Sequence, residues 1–288
     1  MALEHLEGAS YGPIRTTVSA AKVAEYLAAT RCAEPERWIE VAPPSYAGAV
    51  LFVVAPEFLA SDAVAGHTAV LIHADQAFSW RKPLPIGRQI DVTARIDRVR
   101  GRGGIDFVTF GAAASTGGET LLESVSTFLL GTPVAGESPE PRSEPAVDRR
   151  GGWDPGPALD AARIPATTRS ASRLDLVRYA GASGDFNPIH FDHDAAVGAG
   201  LSGIVVHGLL MGAWLLDTAA SFVPGDRPID RAKIRFRDPL FPAESASLAG
   251  AVRESGAEVD LRLVGSDGER RLVTAVVHLT SPIAPTRE

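Results

Sequence analysis

The chain repeats itself, and the repeat restricts its possible folds more than any other feature. Trp80-Arg81-Lys82-Pro83-Leu84 reappears in the second half as Phe236-Arg237-Asp238-Pro239-Leu240, and Ile105-Asp106-Phe107 reappears as Val259-Asp260-Leu261 at nearly the same offset. Each copy ends in two strand-like runs around a turn, Thr116-Gly117-Gly118 in the first and Ser266-Asp267-Gly268 in the second. Asp-Gly between alternating apolar runs is a hairpin signal. The chain therefore reads as two copies of one unit. At 288 residues it has room for two domains of common size, each able to bury its own core. The expected organisation is one domain over residues 1–130, a linker over 131–152 and a second domain over 153–288. The linker is placed where Pro, Glu, Ser and Arg crowd together and apolar periodicity disappears.

The second copy holds the chemistry. Residues 184–190 read Gly-Asp-Phe-Asn-Pro-Ile-His, in which Pro188 lacks a backbone donor and disfavours helix at Asn187, so the segment is expected to be a fixed loop. Such a loop can point the Asp185 carboxylate and the His190 imidazole at one water, as proton transfer at a weakly acidic carbon requires. Upstream, Leu174, Val177, Tyr179 and Ala180 recur at roughly helical spacing, with Ser170 or Ser172 as N-cap and Gly181 and Gly184 ending the run. Downstream, Ile204-Val205-Val206-His207-Gly208 leads into a nearly all-apolar stretch from Leu209 to Phe222, the pattern of a helix buried all round. His207 and Asp217 interrupt the apolar run, leaving it too short for a membrane span of roughly 20 residues.

Tyr179 through His190, followed by Gly203-Ile204-Val205-Val206-His207-Gly208-Leu209-Leu210, resembles the signature of the MaoC-like hydratases, a family of (R)-specific enoyl-CoA hydratases and (3R)-hydroxyacyl-ACP dehydratases. The resemblance covers about residues 160–282. It implies an α+β double hotdog, two antiparallel sheets each wrapped around a central helix, with the two halves joined edge to edge. It also implies catalytic roles for Asp185 and His190, a backbone oxyanion donor at Gly208, no metal, and no cofactor beyond the CoA or phosphopantetheine of the substrate. Asn187 is expected to fix the loop, because an amide does not titrate usefully. His207 is either a structural histidine at the helix start or a direct substrate contact.

In the first copy a helix-like stretch runs over Val18–Thr30. Aligning its Tyr26 with Tyr179 puts Arg31 to Arg37 opposite the signature loop, with Cys32 in place of the acid and Arg37 in place of the histidine. This half resembles the degenerate N-terminal dehydratase domains that accompany an active MaoC-like domain and shape its acyl tunnel. That resemblance rests on Ile72-His73-Ala74-Asp75-Gln76 and the Arg-Lys-Pro-Leu stretch.

Charge and cysteine content narrow the partners. A net charge of −7 and a pI near 5.6 argue against general affinity for nucleic acid or anionic membranes. One cysteine excludes an intrachain disulfide, and no charged segment precedes an apolar run at the N-terminus, so the expectation is a cytoplasmic enzyme. Arg231, Lys233, Arg235 and Arg237 alternate with Ala232, Ile234 and Phe236, giving a strand with a basic face. That face is either ordinary solvated surface or a dock for a CoA phosphate tail or an acidic carrier protein. His190, Asp192, His193 and Asp194 match no established zinc spacing. Gly198-Ala199-Gly200-Leu201-Ser202-Gly203 imitates a dinucleotide fingerprint without the strand that should precede it.

The expected activity is reversible hydration of trans-2-enoyl thioesters to (3R)-3-hydroxyacyl thioesters, on acyl-CoA or acyl carrier protein, by a protein that can pair as a homodimer of double-hotdog protomers. A hotdog acyl thioesterase and a repurposed thioester-binding domain are the alternatives. The Asp-x-Asn-Pro-x-His loop favours chemistry at the β-carbon over attack on the carbonyl.

Overall fold

Strict alternation identifies the long strands. Strand β5 (Gln89–Arg102) buries Ile90, Val92, Ala94 and Ile96 and turns Gln89, Thr93 and Arg95 to solvent, the period-two pattern of a half-buried sheet. The other strands of the first half are β1 (Ser10–Thr17), β3 (Val70–Trp80), β6 (Ile105–Thr116) and β7 (Glu119–Gly131). The second half supplies β8 (Arg163–Arg169), β9 (Ile229–Phe236), β10 (Ala246–Val252), β11 (Glu258–Gly265) and β12 (Arg271–Leu279). Two-residue strands β2 (Val41–Ala42) and β4 (Leu84–Pro85) pair separately. The structure, a computed structural model, describes residues 3–65, 70–131, 163–253 and 255–283. The linker expected over 131–152 lies outside these residues except for Gly131, which ends β7.

The ten long strands form one sheet in the order β1-β5-β6-β7-β3-β9-β12-β11-β10-β8. Read from the centre outward, the two halves of this order mirror each other, and the repeated motifs fall on matching strand ends. The two expected sheets are thus one, joined by antiparallel pairing of Asp75 to Ser79 on β3 with Arg235 to Arg231 on β9. Edge pairing removes the open strand that each half would otherwise present.

Each half lays one apolar helix across its part of the sheet: α2 (Ala47–Leu59) over β1, β5, β6 and β7, and α6 (Gly208–Ala220) over β9, β11 and β12. The α6 helix was legible as an all-apolar run; α2, interrupted by Pro56, was not located from the sequence. Two further helices, α1 (Ala20–Thr30) and α4 (Arg173–Ser183), pack against each other through Tyr26 and Tyr179, whose ring centroids are 5.8 Å apart. Short helices α3 (Asp62–Ala65) and α5 (His193–Gly198) complete the helical layer.

One expectation about α4 is corrected. Leu174 and Val177 are 56% exposed, and the buried face is Asp175, Leu176, Tyr179 and Ala180. The N-cap is Ser172, which forms a capping box with Asp175, and Asp175 also receives Arg31 of the first half at 2.6 Å. The cap and the contact with α1 set the phase of the helix, turning two of its apolar residues outward.

Candidate active site

The loop after α4 is fixed by its own short-range hydrogen bonds. Gly184 ends the helix in the left-handed region at φ 81°, where a side chain would be strained. Ser183 Oγ donates to Tyr179 O at 2.7 Å and accepts the Asp185 N–H at 3.2 Å, so the reversal of the chain is braced before the acid. Asp185 Oδ1 then accepts the Asn187 N–H at 3.3 Å, and Asn187 caps the single turn Pro188–His190. Asn187 Nδ2 reaches across to Leu71 O in the first half at 3.4 Å, so this amide ties the loop to β3.

His190 is buried, and its Nδ1 lies 2.8 Å from Val205 O. A carbonyl can only accept, so Nδ1 carries the proton and Nε2 of the neutral ring is left as an acceptor. The His207 ring stacks on His190 with centroids 3.7 Å apart and planes 24° from parallel, and the Tyr179 ring lies tilted against His207 at 4.9 Å. His207 Nε2 donates to Asp185 O at 3.2 Å, while its Nδ1 is buried without a partner among the described residues. His207 therefore holds both members of the pair, the acid through its backbone and the base through its ring.

Burial raises the Asp185 pKa, opposed by the His190 charge and the Asn187 N–H. Burial lowers the His190 pKa, opposed by Asp185. His207 is pushed further down by burial and then by His190, which keeps it neutral. One donor atom each from Asp185, His190 and His207 lie within 4.8 Å of one another. Two nearly parallel stacked rings do not aim both lone pairs at one point about 2.1 Å away, as two metal-bound imidazoles must. The cluster is better suited to holding a water between an acid and a base.

Gly208 opens α6, so its N–H has no acceptor within the helix and sits at the positive end of the dipole. A Cβ at this position would come within 3.1 Å of the Phe236 ring, so a larger residue would have to displace that ring by a few tenths of an ångström. The Val205 and Val206 N–H groups bond Ile189 O and Leu240 O and fix the segment before the helix.

The structure thus brings Asp185, Asn187, His190, His207 and Gly208 together. It does not bring the basic residues to them. Arg231, Lys233 and Arg235 lie exposed on the face of β9 opposite the buried Ala232 and Ile234, hence opposite α6, and Arg235 pairs with Asp75 across the join at 3.5 Å. Arg237 is exposed just beyond the strand. Asp192 caps α5, while His193 and Asp194 are exposed. Sequence reasoning missed Phe236, Leu71 and the Val205 carbonyl as parts of the site. The repeat contained Phe236, and its role depends on which strand lies beneath Gly208.

Both halves of the chain are similar to known proteins. A family model described as MaoC like domain matches residues 155–263, and one described as FAS1-like, dehydratase domain region matches residues 5–123. The chain is 28% identical over 197 residues to 3-hydroxyacyl-thioester dehydratase X of Mycobacterium tuberculosis, a match covering 66% of this chain and 63% of that protein. The chain thus spans less than two thirds of that relative's length. Among solved structures, one titled MaoC-like dehydratase superposes with a TM-score of 0.77 at 20% identity, covering 96% of this chain and 99% of its own. A Mycobacterium tuberculosis protein described as having a double hotdog fold superposes at 0.62 and 12% identity, covering 96% of both chains. The second half thus matches the MaoC like domain and the first half a dehydratase domain region, and over both halves the chain resembles the MaoC-like dehydratases.

Proposed function

We propose that the protein is a hydro-lyase that adds water to trans-2-enoyl thioesters to give (3R)-3-hydroxyacyl thioesters, and catalyses the reverse dehydration. The observation that carries this reading is the buried Asp185 and His190 pair on one braced loop beside the first amide of α6. Asp185 and His190 Nε2 hold one water between them. As the water oxygen bonds to the β-carbon, its proton passes to the pair and negative charge moves to the thioester oxygen, which accepts the Gly208 N–H. The pair then returns a proton to the α-carbon. Because both transfers start from one loop, hydroxyl and proton arrive on the same face, a syn addition.

The thioester is carried by CoA or by an acyl carrier protein, and no step needs a group the chain does not supply. Among the described residues no helix is long and apolar enough to cross a membrane. The test is incubation of the protein with a short trans-2-enoyl-CoA while enoyl absorbance and free thiol are followed together, with chiral analysis of the product. Loss of enoyl signal without thiol and a 3R product are expected. Thiol release would make the protein a thioesterase, and a 3S product would mean the substrate lies in a different pose.

A further inference from the structure

The repeat allows buried positions in one half to be compared with their counterparts in the other. β3 and β9 carry a bulge at the same place: the ladder skips Ala74 between His73 and Asp75, and skips Asp230 between Ile229 and Arg231. His73 therefore corresponds to Ile229 and Gln76 to Ala232. Ser126, paired with Gln76, corresponds to Val277, paired with Ala232. The second-half trio is apolar and buried, with Ile229 and Val277 at 0% exposure. The first-half trio is polar. Gln76 and Ser126 are equally buried and are joined by a 2.7 Å hydrogen bond from Ser126 Oγ to Gln76 Oε1.

His73 stands out within that trio. Its ring lies 4.8 Å from Phe128 and 5.1 Å from Phe236, and its Nε2 is buried without a hydrogen-bond partner among the described residues. Leaving such a group unpaired costs on the order of 1–3 kcal/mol. Isoleucine at the matching position shows that the fold itself needs no polar group there. Burial lowers the His73 pKa to about 4, against opposing contributions from Gln76 and the Asp75 backbone, so the ring is neutral.

The position of His73 relates it to the reaction. Leu71, two residues earlier on β3, accepts the Asn187 amide of the catalytic loop. Phe236, its ring neighbour, lies against Gly208. Ile229 sits at the opposite end of the join, just past the segment whose Val223 and Gly225 carbonyls receive Arg37. The polar trio thus belongs to the side with chemistry, and the apolar trio to the side without it.

We propose that His73, backed by Gln76 and Ser126, hydrogen-bonds an oxygen carried on the acyl chain beyond the β-carbon, so that the preferred substrates are hydroxy- or oxo-substituted acyl thioesters. This rests on the hydration reading above and takes the acyl chain to run from Gly208 past Phe236 toward His73.

The test compares wild type with His73→Ile, which installs the residue of the second half, and with His73→Gln, which keeps a donor and an acceptor. Each is assayed on 2-enoyl-CoA esters of equal length, plain or bearing a hydroxyl or oxo group at successive carbons beyond the β-carbon. Wild type should favour one oxygenated position by on the order of tenfold in kcat/KM. His73→Ile should abolish that ratio and His73→Gln should retain part of it. Binding of the saturated, unreactive analogues, measured by calorimetry, should show the same preference. No preference in wild type by either readout overturns the proposal and leaves Nε2 to a buried water. An equal loss on plain and oxygenated chains in His73→Ile overturns it in favour of a purely structural role. If no enoyl ester is turned over, the hydration reading fails, and the binding preference still decides the role of His73.

Discussion

In the first half Tyr46 stands edge-on to Tyr26, with ring centroids 5.2 Å apart and planes at 81°. In the second half His207 takes the place of Tyr46 against Tyr179, at 4.9 Å and 59°. Both halves thus keep an aromatic contact between the outer helix and the start of the central helix, and differ in what is built on it. His207 carries His190 stacked on its face and holds the Asp185 backbone. On the alignment of Tyr26 with Tyr179, the first half puts Arg37 where His190 stands, and Arg37 donates to Ala220 O, Val223 O and Gly225 O at the end of α6. A cation at a helix C-terminus is a stabilising device. Cys32, in the place of Asp185, has its thiol pKa pushed by burial to about 11, so it is neither acid nor nucleophile at neutral pH. The comparison shows that the scaffold does not require the chemistry, since the same loop position can close a neighbouring helix instead.

The largest test of this contrast exchanges the acids and bases themselves. Asp185→Asn and His190→Ala should each lower hydration turnover by a factor on the order of 10² or more with near-native circular dichroism, whereas Cys32→Ala should leave turnover close to wild type. Retained activity in Asp185→Asn would end the assignment. A large loss in Cys32→Ala would mean the first half still takes part in the chemistry.

Removing the first half should be nearly as damaging. Residues 153–288 expressed alone expose the β9 edge that pairs with β3 and lose Leu71 as the anchor of Asn187. Light scattering should show self-pairing or aggregation, with most activity lost. A fully active monomer of this fragment would show that the halves are energetically independent.

A smaller effect is expected at Asp217, which sits on α6 and faces Ser45 and Cys32 of the first half. Burial raises its pKa to about 7, with Ser45 and Arg169 opposing. Because the folded state holds this proton more tightly than the unfolded chain, stability from this group is present at low pH and is lost as pH rises from about 4 through about 7. Asp217→Asn should flatten that dependence and raise stability above pH 7 by on the order of 1–3 kcal/mol, read from urea midpoints across pH. An unchanged pH profile would place the carboxyl in contact with water.

Arg37→Ala should have the smallest effect, costing about 1–2 kcal/mol in denaturant unfolding through the loss of three carbonyl partners, and changing kcat by less than the catalytic variants do. A loss of turnover matching that of His190→Ala would show that the two positions are functionally as well as topologically related.

Much of this was legible because it is local. The Gly-Asp-x-Asn-Pro-x-His order dictates its own turn, since Gly184 accepts a left-handed φ and ends the helix and Pro188 keeps Asn187 extended, so the loop carrying Asp185 and His190 could be placed from the residues alone. The turns at Gly117-Gly118 and Asp267-Gly268 and the apolar run of α6 were equally readable, because period and turn chemistry act over a few residues. The repeat also implied two equivalent units. The sequence could not show which face of α4 is buried, because Asp175 is held inward by Ser172 and by an arginine 144 residues away. Nor could it show that Phe236 underlies Gly208, that His207 stacks on His190, or that β3 and β9 are the strands through which the halves join edge to edge. Those facts depend on pairings between distant segments, where the free energy lies in contacts that exist only once both partners are folded; the tertiary structure alone decided them.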